Sequence, residues 1–167
     1  MLDLLYSDPK THSFAFQMMA YITRLKTLQR ARQENPGAII VTERCLQTDC
    51  EVFAKMLRAS GDILDIHWKI YEQWASTLSP EFQPDLYIYV SANPETSLQR
   101  VKLRNRTSES SISLEYLKGC HERHETWLHS DPAMKSKVIV FDANTEFIAS
   151  NESRVKTFVD DLIQNKL

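Results

Sequence analysis

Three short runs, AIIV (38–41), LYIYV (86–90) and VIVF (138–141), limit what this chain can fold into more than any other feature. Each is rich in β-branched or aromatic residues. None alternates apolar with polar positions, so each reads as a strand buried on both faces of a parallel sheet. Helical periodicity fills the intervals. Phe14, Met18, Ile22, Leu25 and Leu28 recur at steps of four and three. Thr48 followed by Glu51 has capping-box spacing and predicts a helix running toward Leu57 and stopping near Gly61. Ile63, Ile66, Ile70 and Trp74 form a second apolar stripe. Asn93-Pro94 supplies an N-cap and a first-turn proline, 113–128 reads as a helix with Gly119 as its weak point, and 155–163 is amphipathic. Strands alternating with helices predict a single α/β domain with an open parallel sheet, whose ligands sit beyond the carboxyl ends of the strands.

The balance of charges removes several function classes. Net charge is −2 and Lys and Arg are scattered, so no field gathers a nucleic acid polymer. No apolar run approaches the roughly 20 residues that span a bilayer, and MLDLLYSDPK is too short and acidic for a signal peptide. Cys45, Cys50 and Cys120 lack CxxC spacing, which speaks against a disulfide framework or a zinc site and fits a reducing compartment, the cytoplasm by default. His121, Glu122, His124 and Glu125 hold an HxxH pair without a third ligand and read as ordinary helix-face residues, so no metal site is expected from them.

Three sets of residues could carry chemistry. Glu43, Arg44 and Asp49 follow the first strand, where Arg44 and Asp49 could meet across the strand-to-helix turn. A guanidinium held that way binds phosphate or a polar ring edge, although a capping cluster on a solvated turn has the same composition. Arg100 and Arg104 share a face of the helix opened by Pro94, and Arg106 follows. Such cations repel one another and would be relieved by a polyphosphate, or they form a solvated basic face. Gln17 and Arg24 lie two helical turns apart beside Phe14 and Tyr21, an arrangement that could read a nucleobase edge or simply be an amphipathic helix.

The order of these signals is more telling than any one of them. The succession SFAFQ (13–17), Arg24, ERC (43–45), Asp49, VFA (52–54), DLYIYVSANPETSLQRVKLRNR (85–106) and SLEYL…HERHETWL (113–128) resembles the deoxyribonucleoside kinase family, nearest its deoxycytidine, deoxyguanosine and mitochondrial thymidine branch. The resemblance runs from about Leu2 to Phe147 and implies a P-loop kinase-like sheet. It also implies transfer of a γ-phosphoryl group from ATP or another nucleoside triphosphate, with Mg²⁺, to the 5′-hydroxyl of a deoxynucleoside. Its residue roles carry over as follows. Gln17 pairs with the base edge, Phe53 stacks on the base with Phe16 on the other wall, and Arg24 with Asp49 tunes base choice. Tyr6 and Glu109 hold the sugar 3′-hydroxyl. Arg44 lies near the 5′-hydroxyl, and Glu43 near magnesium and phosphate. Arg100, Arg104 and Arg106 are lid arginines, and Thr145, Glu146 and Phe147 pack the donor's adenine. A homodimer is implied through the first helix and the 63–78 region. Family members work in the cytosol, nucleus and mitochondrion.

Two parts of that pattern are absent from these residues. Gly37, Gly61 and Gly119 are the only glycines, and no G-x-x-x-x-G-K-[ST] run exists. The family's first strand, its phosphate loop and the second strand bearing the carboxylate base have no counterpart here. In the family's strand order 2-3-1-4-5, strand 1 is central, so about three strands should remain. AIIV and LYIYV then either pair directly or leave two edges facing a gap. The expectation is an N-terminally incomplete kinase domain over 1–167, unstable or repacked by itself and catalytically silent. The alternatives are a pseudokinase-like module that retains nucleoside binding or dimerisation, and a helical interaction protein that has lost both.

Overall fold

The computed structural model describes residues 2–130, 134, 137–145 and 147–164. Helix α1 (Leu2–Ser7) leads into the long helix α2 (Pro9–Glu34). Asp8 caps α2, its Oδ1 accepting from the Thr11 N–H at 3.3 Å, and Pro9 occupies the first turn where its missing N–H costs nothing. The next helical segment starts at Leu46 with an extended Cys45 as N-cap, three residues before the expected capping box could act. Thr48 is therefore inside the helix, and its Oγ1 meets Cys45 Sγ at 3.2 Å. A short α3 (Leu46–Thr48) widens into a π-helical turn over Asp49–Ala54 and tightens again as α4 (Lys55–Ala59). Gly61 follows at φ +81°, a left-handed position that suits glycine and ends the run where the sequence predicted.

Helix α5 (Asp65–Leu78) packs Trp68, Tyr71, Ala75 and Leu78 against Tyr21 and Leu25 of α2, with Leu46, Ala54 and Phe82 closing this helical core. That corrects the expected stripe. Ile63 is buried, but Ile66, Ile70 and Trp74 face outward, Trp74 with 52% of its surface exposed. The inward face is made by the aromatic and small residues at steps of three and four.

The sheet has two parallel strands, β1 (Tyr87–Ser91) and β2 (Val138–Asp142), in the register Tyr87↔Val138 to Ser91↔Asp142. Helices α6 (Pro94–Arg104) and α7 (Leu114–Ser130) lie between them in the chain. Gly119 does not break α7. A Cβ there would meet Met56 Sδ at 3.2 Å, so the glycine instead lets α7 approach α4 closely. On one face of the sheet, Tyr87 meets the edge of Trp127 and Tyr89 stacks on His124 of α7. On the other, Phe141 meets Phe158 of α8 (Phe147–Ile163), a helix that begins eight residues before the amphipathic stretch.

AIIV (38–41) is not a strand. Among the described residues it joins no ladder, and Ile39, Ile40 and Val41 are exposed, Val41 at 73%. The reason is the one its composition raised: an apolar extended run needs a hydrogen-bonded neighbour, and β1 does not reach it. Ile88 and Val90, also exposed, lie on one face of β1, opposite Tyr87 and Tyr89, and leave that face partly bare. The π turn packs against both α2 and α7, so it bridges the helical core and the sheet layer. Residues expected to act together come from these three elements.

Candidate functional site

The π turn holds the most buried charge in the described structure. Asp49, 2% exposed, receives Arg24 Nε at 2.7 Å on Oδ2 and Nη2 at 3.3 Å on Oδ1. The third nitrogen of the fork, Nη1, donates to the Glu43 carbonyl at 2.8 Å. Arg24 can do this because Tyr21 and Leu25 pin that stretch of α2 into the core and leave Arg24 at its flank. A bidentate guanidinium–carboxylate pair fixes both side chains. Asp49 therefore pairs with α2, not with Arg44 as the strand-to-turn reading expected.

Arg44 goes elsewhere. Its backbone has φ +67°, a left-handed conformation costing about 1–2 kcal/mol for a side-chain-bearing residue. Its guanidinium carbon lies 4.5 Å from the centroid of the Phe53 ring. Thr42 Oγ1 braces the bend by donating to the Arg44 carbonyl at 2.8 Å. Phe53 is set one helical turn beyond Asp49 on the π turn and meets His124 edge-on at 6.4 Å. His124 Nδ1 bonds the Cys120 carbonyl, and burial pulls the imidazole below its usual range, so it is neutral near pH 7.

A third group adjoins Arg44. Tyr6 of α1 and Tyr116 of α7 meet edge to face at 6.2 Å, and burial raises both phenols, Tyr116 the more strongly. Tyr6 lies within electrostatic reach of Glu109, Arg44 and Cys120. Burial also pushes the Cys120 thiol up to about 11, so it stays protonated and is no nucleophile. Glu109 is engaged from α6: Arg104 donates twice to Oε2, at 2.6 and 2.9 Å, and Arg106 reaches Oε1 at 3.5 Å.

The structure thus brings together Arg24 with Asp49 and the Glu43 backbone, Arg44 with Phe53, and Glu109 with Arg104 and Arg106. Tyr6 lies within electrostatic reach of both Glu109 and Arg44. Gln17 is buried at 4% on the same helix as Arg24. One turn earlier, the buried Ser13 hydroxyl has no hydrogen-bond partner among the described residues. Phe16 is half-buried, and no ring contact links it to Phe53. Phe14 and Tyr21 do not face this region: Phe14 stacks on His67, and Tyr21 bonds Ser79 at 2.8 Å. The three arginines do not converge. Arg100 turns away and donates to the carbonyls of Ala143 and Thr145, at 2.6 and 3.0 Å. The Glu43 side chain is exposed. Glu146 lies outside the described residues, as does the side chain of Phe147. Among the described residues no group of three His, Cys, Asp or Glu side chains could hold a metal ion. An open cavity of about 320 Å³ lies elsewhere, between β2 and α8 at Ile139, Phe141 and Phe158.

Comparison with known proteins decides the family. The model of the deoxynucleoside kinases matches residues 1–164. The chain belongs to the deoxynucleoside kinase family. Its relatives include deoxycytidine kinase 2 of Gallus gallus, 32% identical over an alignment of 162 positions that covers 88% of this chain and 61% of that protein. Deoxycytidine kinase of Homo sapiens is 31% identical over an alignment of 179 positions, gaps included, that covers 96% of this chain and 69% of its own length. The mitochondrial deoxyguanosine kinase of Xenopus laevis is 32% identical over an alignment of 136 positions that covers 77% of this chain and 51% of the relative. The two parallel strands with helices on both faces are a small version of the α/β kinase sheet. This kinase-family chain spans about six to seven tenths of its deoxycytidine kinase relatives.

Some residues of the assembly left no mark in the sequence. The π turn has no composition signature, yet it sets the spacing of Asp49 and Phe53. Tyr89 donates to Glu125 at 2.9 Å, and His129 lies 3.3 Å from the same carboxylate, tying β1 to α7. Tyr116 was legible only as part of the SLEYL string. Its pairing with Tyr6, 110 positions away, needed the fold.

Proposed function

We propose that this chain carries the nucleoside-binding half of a deoxynucleoside kinase: a base-reading wall of Gln17, Arg24 and Asp49, a stacking ring at Phe53, and a sugar clasp of Tyr6 and Glu109. The observation that carries this is the Arg24–Asp49 fork, set on a π turn that also carries Phe53 under the Arg44 guanidinium, with Tyr6 in electrostatic reach of Arg44 and Glu109. Phe16, half-buried on α2, would form the opposite wall by the family pattern. Gln17, on the same helix as Arg24, carries an amide able both to donate to and accept from a base edge. Isothermal titration with deoxycytidine, thymidine and 2′,3′-dideoxycytidine tests it. Saturable binding of at least one deoxynucleoside, weakened tenfold or more by Phe53→Ala, is expected; no binding ends the proposal.

The phosphate donor is a different matter. The family reaction uses a nucleoside triphosphate, ATP by our reading, with Mg²⁺. Arg44, Arg104 and Arg106 could face its phosphates, and the Arg100–Thr145 link could shape the loop beside adenine. The residues present do not make a complete site for Mg²⁺ and a triphosphate: these 167 residues hold no glycine-rich cradle, and among the described residues no group of three acidic, His or Cys side chains gathers at Glu43. We therefore assign binding to this chain and derive no transfer step from it.

A second reading, a dimerisation module, is favoured by one observation: Leu64, Ile66, Ile70 and Trp74 form an exposed apolar stripe on α5, with Met19 and Ile22 exposed on α2. It is compatible with the first and points to a homodimer. Ile70→Arg with Trp74→Glu should raise the dimer dissociation constant at least about thirtyfold, because central aromatic anchors carry most interface energy. Sedimentation of the two forms at equal concentration checks this, and an unchanged association constant would move the interface elsewhere. The three cysteines are free; a cytoplasmic location, with the mitochondrion and nucleus as the family's other compartments, is our reading. Among the described residues no helix is long and apolar enough to cross a membrane.

A further inference from the structure

Thr107, Ser108, Ser110, Ser111 and Ser113 stand where the chain leaves α6 and enters α7, directly after Arg104 and Arg106. None of these hydroxyls has a part in the function proposed above. Their surroundings differ. The Ser113 hydroxyl accepts from the Tyr116 N–H at 3.1 Å in the first turn of α7. The Ser110 hydroxyl donates to the Thr107 carbonyl at 3.0 Å. Thr107 is exposed, and its own hydroxyl makes no hydrogen bond among the described residues. It opens a single 3-10 turn, Thr107–Glu109. A short exposed turn of this kind opens locally at little cost. Arg106 is its N-cap, and Arg104 lies three positions before Thr107, where a left-handed Asn105 ends α6. The charges on this turn do not balance. Arg104 and Arg106 share one carboxylate, Glu109, at 2.6 and 3.5 Å, so two cations face one anion.

We propose that Thr107 is a phosphorylation site and that its phosphate draws Arg104 and Arg106 off Glu109. The partner is a protein kinase that reads arginine three residues ahead of its acceptor, with a nucleoside triphosphate as co-substrate. The Thr107 oxygen bonds to the γ-phosphorus, and the bond from that phosphorus to the β–γ bridging oxygen breaks. The nucleoside diphosphate leaves, and the hydroxyl proton passes to the kinase's base. The phosphate carries roughly −1.5 to −2 at pH 7 and binds guanidinium groups through charge-assisted hydrogen bonds. Glu109 competes from the same turn with a single charge. Both arginines are half-exposed or more, so they are free to reorient. A Glu109 that has lost them is no longer held toward a deoxynucleoside. That consequence rests on the sugar clasp proposed above, whereas the capture of the arginines does not.

The test treats the folded whole chain with MgATP and a protein kinase that requires arginine three positions before its acceptor. Mass spectrometry should find one phosphoryl group, on Thr107. Thr107→Val and Arg104→Gln should each abolish it, and Arg106→Gln should not. No incorporation, or incorporation on a serine instead, overturns the site. Phosphorus NMR then reads the capture. The second ionisation of the phosphate, near pH 6 in an unpaired phosphothreonine by the usual value of roughly 6, should lie lower in the folded chain. The expected difference from the same phosphoprotein unfolded in urea is at least about half a pH unit, because neighbouring cations favour the dianion. Arg106→Gln should remove part of that shift, and coincident titrations overturn the capture. Calorimetry with deoxycytidine reads the consequence. The modified chain should bind about three- to tenfold more weakly, with Thr107→Val as tight as wild type. Equal affinity of the modified and unmodified chains overturns the control of binding. An unmodified chain that binds no deoxynucleoside overturns the clasp, while the mass and phosphorus measurements still decide the modification.

Discussion

Asp49→Ala should destabilise this chain by about 3 kcal/mol, because it leaves the Arg24 guanidinium half-buried with only the Glu43 carbonyl for company. For a domain of this size that lowers Tm by about 6–12 °C. Arg24→Met alone should cost a comparable amount, since it strands a carboxylate that is 3% exposed. The double variant Arg24→Met with Asp49→Ala should recover most of the loss. Burying an ion pair costs desolvation on both partners, so its joint replacement by apolar groups is far cheaper than removal of either one. Binding should change as well. With the fork gone, the wall facing the base loses a donor and an acceptor, and preference should move from deoxycytidine toward thymidine. Urea melts of the four proteins and paired titrations with both nucleosides check these statements. Additive losses in the double variant would show that the pair is not mutually compensating. An unchanged ratio of affinities would remove it from base reading.

What the sequence disclosed, and what it hid, follows from the range of the forces involved. LYIYV and VIVF became β1 and β2 within one residue, and Asn93-Pro94 opened α6, because strand propensity and capping act over a few residues. The Arg24–Asp49 pair emerged only through the family pattern, since local spacing pointed Asp49 at Arg44. AIIV shows the opposite failure. Its pattern is that of a buried strand, but a strand exists only with a partner, and the described residues contain none within reach. The α5 stripe misled for a related reason. Periodicity shows that a helix has an apolar face, and here a second face built from Trp68, Tyr71 and Ala75 takes the core. The Arg100 carbonyl contacts and the Tyr6–Tyr116 meeting join segments 43 and 110 residues apart. No local rule reaches that far.

Phosphoryl transfer from MgATP to deoxycytidine by these 167 residues should stay at the uncatalysed rate. Joining a strand, a G-x-x-x-x-G-K-[ST] loop and a helix ahead of Met1 should raise it by at least about 10⁴-fold, the range that phosphate cradles and their cations supply. The bare apolar surface beside the sheet argues for this as much as the lack of a G-x-x-x-x-G-K-[ST] run within these residues. Ile39, Ile40 and Val41, and Ile88 and Val90 on one face of β1, are exposed apolar surface that an added strand and helix would help to cover. Covering five such side chains, each already partly buried, should stabilise the fold by about 5 kcal/mol at roughly 1 kcal/mol apiece, and raise Tm by about 10–20 °C. The same strand would bring 38–41 into the ladder and bind Arg44, through its neighbouring backbone, to a fixed edge. Arg44 now lies on the Phe53 ring at a strained φ. Ordering the segment before it gives the guanidinium a reason to leave that ring and face the transferring group. A joined chain that melts higher but stays inactive would show that the added strand repairs the sheet without placing Arg44. A joined chain with an unchanged melting temperature would show that the gap between 38–41 and β1 is not a strand's berth.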